Sequence, residues 1–264
     1  MLIRSKRIDD VASKSVCFVL LLLSILVLGW FVLDGSTTRP RVVRSRLTIV
    51  VETPDGERSG SSVTQETISF PGGLTRAQGW ALWTNFVGEA AFVDLGPRGL
   101  LFATLAKPSW LDSPGWGGSG GYNASLMEFP RERFSGTVAP NASSNAEYAA
   151  YLDDVNRIKP KAELPLKDLP VLARFGDPNV PTSVALVDPR DLAASFGPGV
   201  TLKNVTVEIT DDPITTGIDA RLPWLRSSPH TEPLFPNPSH QPPIDDNPAR
   251  KLTYDAFRMP KGRP

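Results

Sequence analysis

The sequence predicts an α+β fold: an N-terminal single transmembrane helix, then a mainly antiparallel β-sheet domain carrying one amphipathic helix. Three observations predict it. An uncharged apolar run fills residues 15–33. Short alternating segments separated by Gly- and Pro-rich turn signals recur over residues 46–225. One stretch, Asn145 to Ile158, repeats its apolar residues at helical spacing.

The run SVCFVLLLLSILVLGWFVL holds nineteen residues between Lys14 and Asp34. As a helix it would cover about 28 Å, close to the roughly 30 Å hydrocarbon core of a bilayer. Buried soluble helices are rarely apolar on every face at this length. A signal peptide has a shorter apolar core and a small-x-small cleavage site. Here LDGSTTRPR follows, with no A-x-A. Cys17 opens the run, where a lipid-modified cysteine would close one, and Lys14, Ser15 and Val16 form no lipobox. The reading is an uncleaved anchor, with a cleaved export signal as the alternative. Trp30 and Phe31 suit a membrane interface.

Orientation is argued from the tail. Arg4, Lys6, Arg7 and Lys14 precede the span, and Arg39, Arg41, Arg44 and Arg46 follow it, so basic residues tie across it. The short segment before the span resembles the n-region of a signal anchor, which places it in the cytoplasm. The expected layout is a cytoplasmic tail (1–14), a transmembrane helix (15–33), a basic linker (34–45), an α+β extracytoplasmic domain (46–225) and a disordered Pro-rich tail (226–264). A bacterial inner membrane with a periplasmic domain is the expected location.

Composition narrows the chemistry. The chain carries 28 basic and 28 acidic residues. Without the tail's four basic and two acidic residues the balance is 24 against 26, so no nucleic-acid partner is expected. The single cysteine lies in the apolar run, so the remainder has no internal disulfide.

The elements follow in order. Leu47, Ile49 and Val51 alternate with Thr48, Val50 and Glu52, and Pro54-Asp55-Gly56 marks a tight turn. The returning arm, Gly60 to Phe70, has few apolar residues and reads as an edge or solvent-facing strand. LTRAQGWALW reads as a short helical turn or a loop. A second hairpin runs from Phe86 to Leu95, turns through Gly96-Pro97-Arg98-Gly99, and returns from Leu100 to Ala106. LLFATLA is apolar on both faces, as a central strand is. Residues 107–122 form a Pro-, Gly- and Ser-rich loop.

The helix at Asn145 to Ile158 opens on a capping box, Ser144 with Glu147. Tyr148, Tyr151, Leu152, Val155 and Ile158 line one face, Asp153, Asp154, Asn156 and Arg157 the other, and Pro160 stops it. Leu169 to Phe175 and Ser183 to Asp188 read as short strands. Asp188 caps a brief helix with Pro189 at its first position and Gly197 at its end. Val200 to Thr210 is a strand with Val205, Val207 and Ile209 facing inward. Thr215 to Leu225 reads as a last short helix.

Few motifs suggest chemistry. Gly117-Gly118-Ser119-Gly120-Gly121 matches the nucleophile elbow G-x-S-x-G, which needs a buried strand before the serine and a helix after it. A Pro/Gly loop precedes it instead. The two histidines, His230 and His240, lie in the Pro-rich tail, so a serine hydrolase using Ser119 is an unfavoured alternative. No metal site is expected, because two histidines and acidic pairs at Asp153-Asp154, Asp211-Asp212 and Asp245-Asp246 lack ligand spacing. No cofactor motif is present. Trp110, Trp116 and Tyr122 surround the glycine-rich loop and could stack on sugars, which makes a glycan- or peptidoglycan-binding domain the other alternative. The bland reading is that they tuck the loop onto the core. Pro233-Leu234-Phe235-Pro236 matches P-x-x-P and reads as spacer.

Four stretches, LTIVVETPDGERSGSSV, VDLGPRGLLFATL, FGDPNVPTSVALVDPRDLAASFGPGV and VTVEITDDPITTGIDARLPWL, together resemble an uncharacterised family of small bacterial membrane-anchored proteins. The resemblance covers residues 47–225 and leaves out both the Trp110 loop and the tail. It implies an anchor and no activity, so it transfers no site residue. The expected function is non-catalytic: an envelope protein with a binding or assembly role and an unknown envelope protein as partner.

Overall fold

The computed structural model describes residues 16, 18–29, 39–70, 83–108, 145–226, 234–235 and 247–259. The chain divides into two compact units, one of Met1–Arg41 with Ile68–Thr84 and one of Val42–Thr67 with Asn85–Pro264.

In the first unit, residues 18–29 are helical. Ser24 returns its hydroxyl to the Leu21 carbonyl at 2.7 Å, so the one polar side chain among them satisfies itself within the helix. The apolar side chains from Phe18 to Leu28 are exposed, Leu22 least at 44% and Leu26 most at 68%. Among the described residues no helix is long and apolar enough to cross a membrane. The rest of the expected span, Ser15, Cys17 and 30–33, lies outside them.

The fold is α+β, with mostly antiparallel sheets and few helices. Its strands are β1 (Arg41–Thr53), β2 (Gly56–Ser69), β3 (Trp83–Glu89), β4 (Ala91–Asp94), β5 (Leu100–Ala103), β6 (Lys161–Glu163), β7 (Leu172–Phe175), β8 (Val184–Leu186), β9 (Thr201–Ile209) and β10 (Arg258–Met259). Its two helices among the described residues of the second unit are α1 (Asn145–Ile158) and α2 (Leu192–Phe196). Six strands form one sheet in the order β10-β3-β2-β1-β9-β6, and four form another in the order β4-β5-β7-β8.

The turn after β1 is built as its residues dictate. Gly56 takes φ +110°, and Thr53 Oγ1 accepts the Asp55 N–H at 3.2 Å and donates to the Gly56 carbonyl at 2.7 Å. β9 pairs antiparallel with β1, Leu47 opposite Val207 and Ile49 opposite Val205. These inward residues meet Ala91 and Val93 of β4, Leu101 and Ala103 of β5 and Leu172 of β7 in one buried cluster. The two sheets therefore pack face to face, and each fully buried Val, Leu or Ile contributes roughly 1.5–3 kcal/mol.

The opposite face of the four-stranded sheet is also covered. Phe92, Phe102, Ala173 and Phe175 alternate with the first set and pack against Ile218, Leu222, Leu225, Leu252, Ala256 and Phe257. Phe102 meets Phe175 edge-on at 5.6 Å and Phe257 at 5.9 Å. This two-sided burial is why LLFATLA is apolar on both faces: β5 is internal to its sheet, as its composition predicts.

Several expectations change. Residues 41–45 of the expected linker already belong to β1. The arm Phe86 to Leu95 is not one strand: it breaks at Ala90, β3 joins the larger sheet and β4 the smaller. β2 is no edge strand; it lies between β1 and β3. Its polar residues are buried in pairs, Ser45 Oγ lying 3.3 Å from Thr64 Oγ1 and Ser62 Oγ donating to the Glu89 carbonyl at 2.7 Å. The segment Thr215 to Leu225 forms two short 3₁₀ turns, Ile218–Ala220 and Pro223–Arg226, rather than one helix. Residues 247–259 are not a disordered tail: Leu252, Ala256 and Phe257 are fully buried. The Ala90 and Leu105 amides donate to the Phe257 and Ala256 carbonyls at 2.9 and 2.7 Å.

The helices sit close to where the sequence puts them. α1 buries Ala149, Tyr151, Leu152 and Val155, while Ile158 at its end is exposed. α2 starts later than expected because Asp191, not Asp188, is its cap, accepting the Ala194 N–H at 3.0 Å. Asp188 instead holds the preceding turn by accepting the Arg190 N–H at 2.8 Å.

Candidate functional site

The corner at Ala90 creates the most distinctive site among the described residues. β3 leaves the larger sheet after Glu89, while β2 continues beyond it. The exposed ladder groups of β2 are taken over by a later segment: the Val63 N–H donates to Thr215 Oγ1 at 2.9 Å, and the Thr215 N–H donates to the Val63 carbonyl at 3.0 Å. On the other side of β3, Arg258 of β10 pairs with Glu89 and Met259 with Gly88. Between the two flanks opens a cleft of about 630 Å³, rimmed by Val87, Ile214, Thr216, Asp219, Arg258 and Met259.

Glu89 forms the floor. It is only 7% exposed, and its Oε2 accepts the Ile218 N–H at 2.8 Å. Gly217, at φ +112°, makes the left-handed turn that brings this amide to the carboxylate. Burial pushes the Glu89 carboxyl above the ordinary carboxylate range. The Ile218 amide and the Arg258 charge oppose that rise, and nearby Asp219 adds to it.

Asp219 and Arg258 complete the wall. Asp219 Oδ2 accepts from Arg226 Nε at 3.1 Å and lies 4.0 Å from Arg258 Nη1. Arg258 Nη2 donates to the Leu225 carbonyl, while its Nε is buried without a hydrogen-bond partner. The polar groups are thus spent mainly on holding the 217–226 turns. Among the described residues no three His, Cys, Asp or Glu side chains gather as a metal site.

Of the residues singled out in the sequence, none that the structure describes lines this cleft. Trp110, Trp116, Tyr122, Ser119, His230, His240, Asp245 and Asp246 lie outside the described residues. Asp154 pairs with Arg157 at 2.8 Å on the polar face of α1. Asp211 pairs with Lys159 and Asp212 with Arg46. Glu89, Asp219 and Arg258 were missed because they come together from three distant segments. One signal was present: Glu89 is the single charge in FVGEAAFV, where a strand pattern calls for an apolar or small residue.

No family model matches this chain, and neither does any curated protein or solved structure.

Proposed function

We propose that this chain is a single-span membrane protein whose α+β body works on the extracytoplasmic side, without catalysis, as a binding or assembly module. The observation that carries the reading is the exposure of the apolar side chains from Phe18 to Leu28, between 44% and 68%. Water around that much hydrocarbon is unfavourable by about 25 cal/mol per Å², and a bilayer removes it. Residues 18–29 alone rise about 18 Å, so the proposed span takes in the flanking residues of the 15–33 run.

The body adds support for a non-catalytic role. One of its buried carboxylates, Glu89, is committed to a backbone amide. In this reading residues 1–14 lie in the cytoplasm and the body in the periplasm of a bacterial envelope.

The test is fractionation of the expressed full chain together with a reporter fused after Pro264. The expected result is a protein that stays with carbonate-washed membranes and a fusion active only when the reporter is exported. A chain recovered in the soluble fraction, or a reporter active in the cytosol, would overturn the proposal.

A further inference from the structure

One end of the larger sheet is assembled from three elements. β1 begins there, β9 ends there and α1 finishes there. The Asn156 amide donates to the Val42 carbonyl at 2.9 Å, the Thr210 N–H to the Arg44 carbonyl at 3.0 Å, and the Ile209 N–H to the Pro160 carbonyl at 3.0 Å. Lys159, at φ +50°, turns the chain out of α1 and pairs with Asp211. This braced end leaves two large aliphatic side chains in solvent, Val42 and Ile158, each 43% exposed. Arg157 and Lys159 flank Ile158, and Arg39 and Arg41 precede Val42 in the sequence.

We infer that this end, centred on Val42 and Ile158, is a docking surface for the phospholipid interface. The inference rests on the anchored reading above. Chain length argues for this occupant. Only residues 34–40 separate the apolar run from β1, and seven residues reach at most about 25 Å. The start of β1 therefore cannot leave the neighbourhood of the membrane. The far end of the same strand lies about 36 Å away, at the Pro54-Asp55 turn.

The chemistry matches as well. Aliphatic carbon flanked by Lys and Arg is the pattern that settles at the headgroup boundary. There the hydrocarbon meets acyl chains and the cations meet phosphates. Asp154 and Asp211 temper the charge by pairing with Arg157 and Lys159, so the apolar pair rather than the charge dominates the contact.

The experiment uses the full chain carrying Cys17→Ser, with Val42→Cys, Ile158→Cys or Asp55→Cys spin-labelled one at a time. Each protein is reconstituted into vesicles of phosphatidylethanolamine and phosphatidylglycerol. Collision of the label with oxygen, which partitions into lipid, is compared with collision with a water-soluble nickel chelate. The expected oxygen-to-nickel ratio is several-fold higher at positions 42 and 158 than at 55. Equal ratios in a chain that resists carbonate extraction would overturn the docking surface and leave the anchor standing. A chain released by carbonate would overturn both.

Discussion

The Glu89 carboxylate accepts the Ile218 backbone N–H at 2.8 Å across 129 residues of sequence, tying the strand that changes sheets to the turn that closes over it. Both partners are buried, so removing one strands the other. Glu89→Ala is expected to destabilise the body by about 1–3 kcal/mol, the cost of a buried donor left unmade. Chemical denaturation of the two proteins at one pH measures it. An unchanged midpoint would mean that water or another acceptor replaces the carboxylate.

The same carboxylate sets a pH dependence. Its pKa in the folded body is raised above the ordinary 4.5, so the folded state holds this proton more tightly than the unfolded chain. Stability from this group is full below the unfolded pKa and is lost as pH rises through the folded one. Glu89→Gln keeps an acceptor for Ile218 and cannot titrate. Wild type should lose stability relative to Glu89→Gln as pH climbs from about 4 toward neutrality. Parallel stability curves would count against a buried, proton-holding carboxyl.

Gly60 of β2 lies close against the backbone of β4. A methyl group on its Cα would lie 1.7 Å from the Phe92 carbonyl oxygen, and backbone cannot step aside as a flexible side chain can. Gly60→Ala is expected to cost at least the roughly 1–3 kcal/mol typical of overpacking. Thermal unfolding followed by circular dichroism reads it, and a drop in melting temperature of less than about 3 °C would show that β4 shifts freely.

The proposal of a non-catalytic body makes a prediction about the glycine-rich loop. Any turnover of an activated ester by the purified chain should be unchanged in Ser119→Ala, because the sequence puts a Pro/Gly loop before that serine and both histidines in the Pro-rich segment. Loss of turnover in the variant would revive the hydrolase alternative.

What the sequence made legible was whatever depends on neighbours in the chain. The Pro54-Asp55-Gly56 turn, the β4–β5 hairpin and the residues of α1 were readable from local turn chemistry and periodicity. The assignment of β2 failed because Ser62, Thr64 and Glu66 are buried polar residues, and alternation cannot tell a satisfied hydroxyl from a solvated one. The break at Ala90 left no mark, since small apolar residues continue through it. The Glu89 cleft depends on Arg258 and Ile218, which only the tertiary fold brings to β3.

The C-terminal segment shows how composition misleads. Proline dominates residues 226–248, yet LTYDAFRM follows, and it places Phe257 between Phe102, Phe175 and Trp224 at ring separations of 5.9, 5.3 and 5.9 Å. The backbone is stitched in as firmly, through the Ala90 and Leu105 amides. Phe257→Ala is therefore expected to cost about 3–5 kcal/mol, as for other fully buried aromatics. A chain ending at residue 246 would lose Leu252 and Ala256 as well and uncover one face of the smaller sheet. Limited proteolysis should then cut the truncated chain within β4, β5 and β7, where the intact chain resists. Equal resistance in the two would show that residues 247–259 decorate the body and do not complete its core.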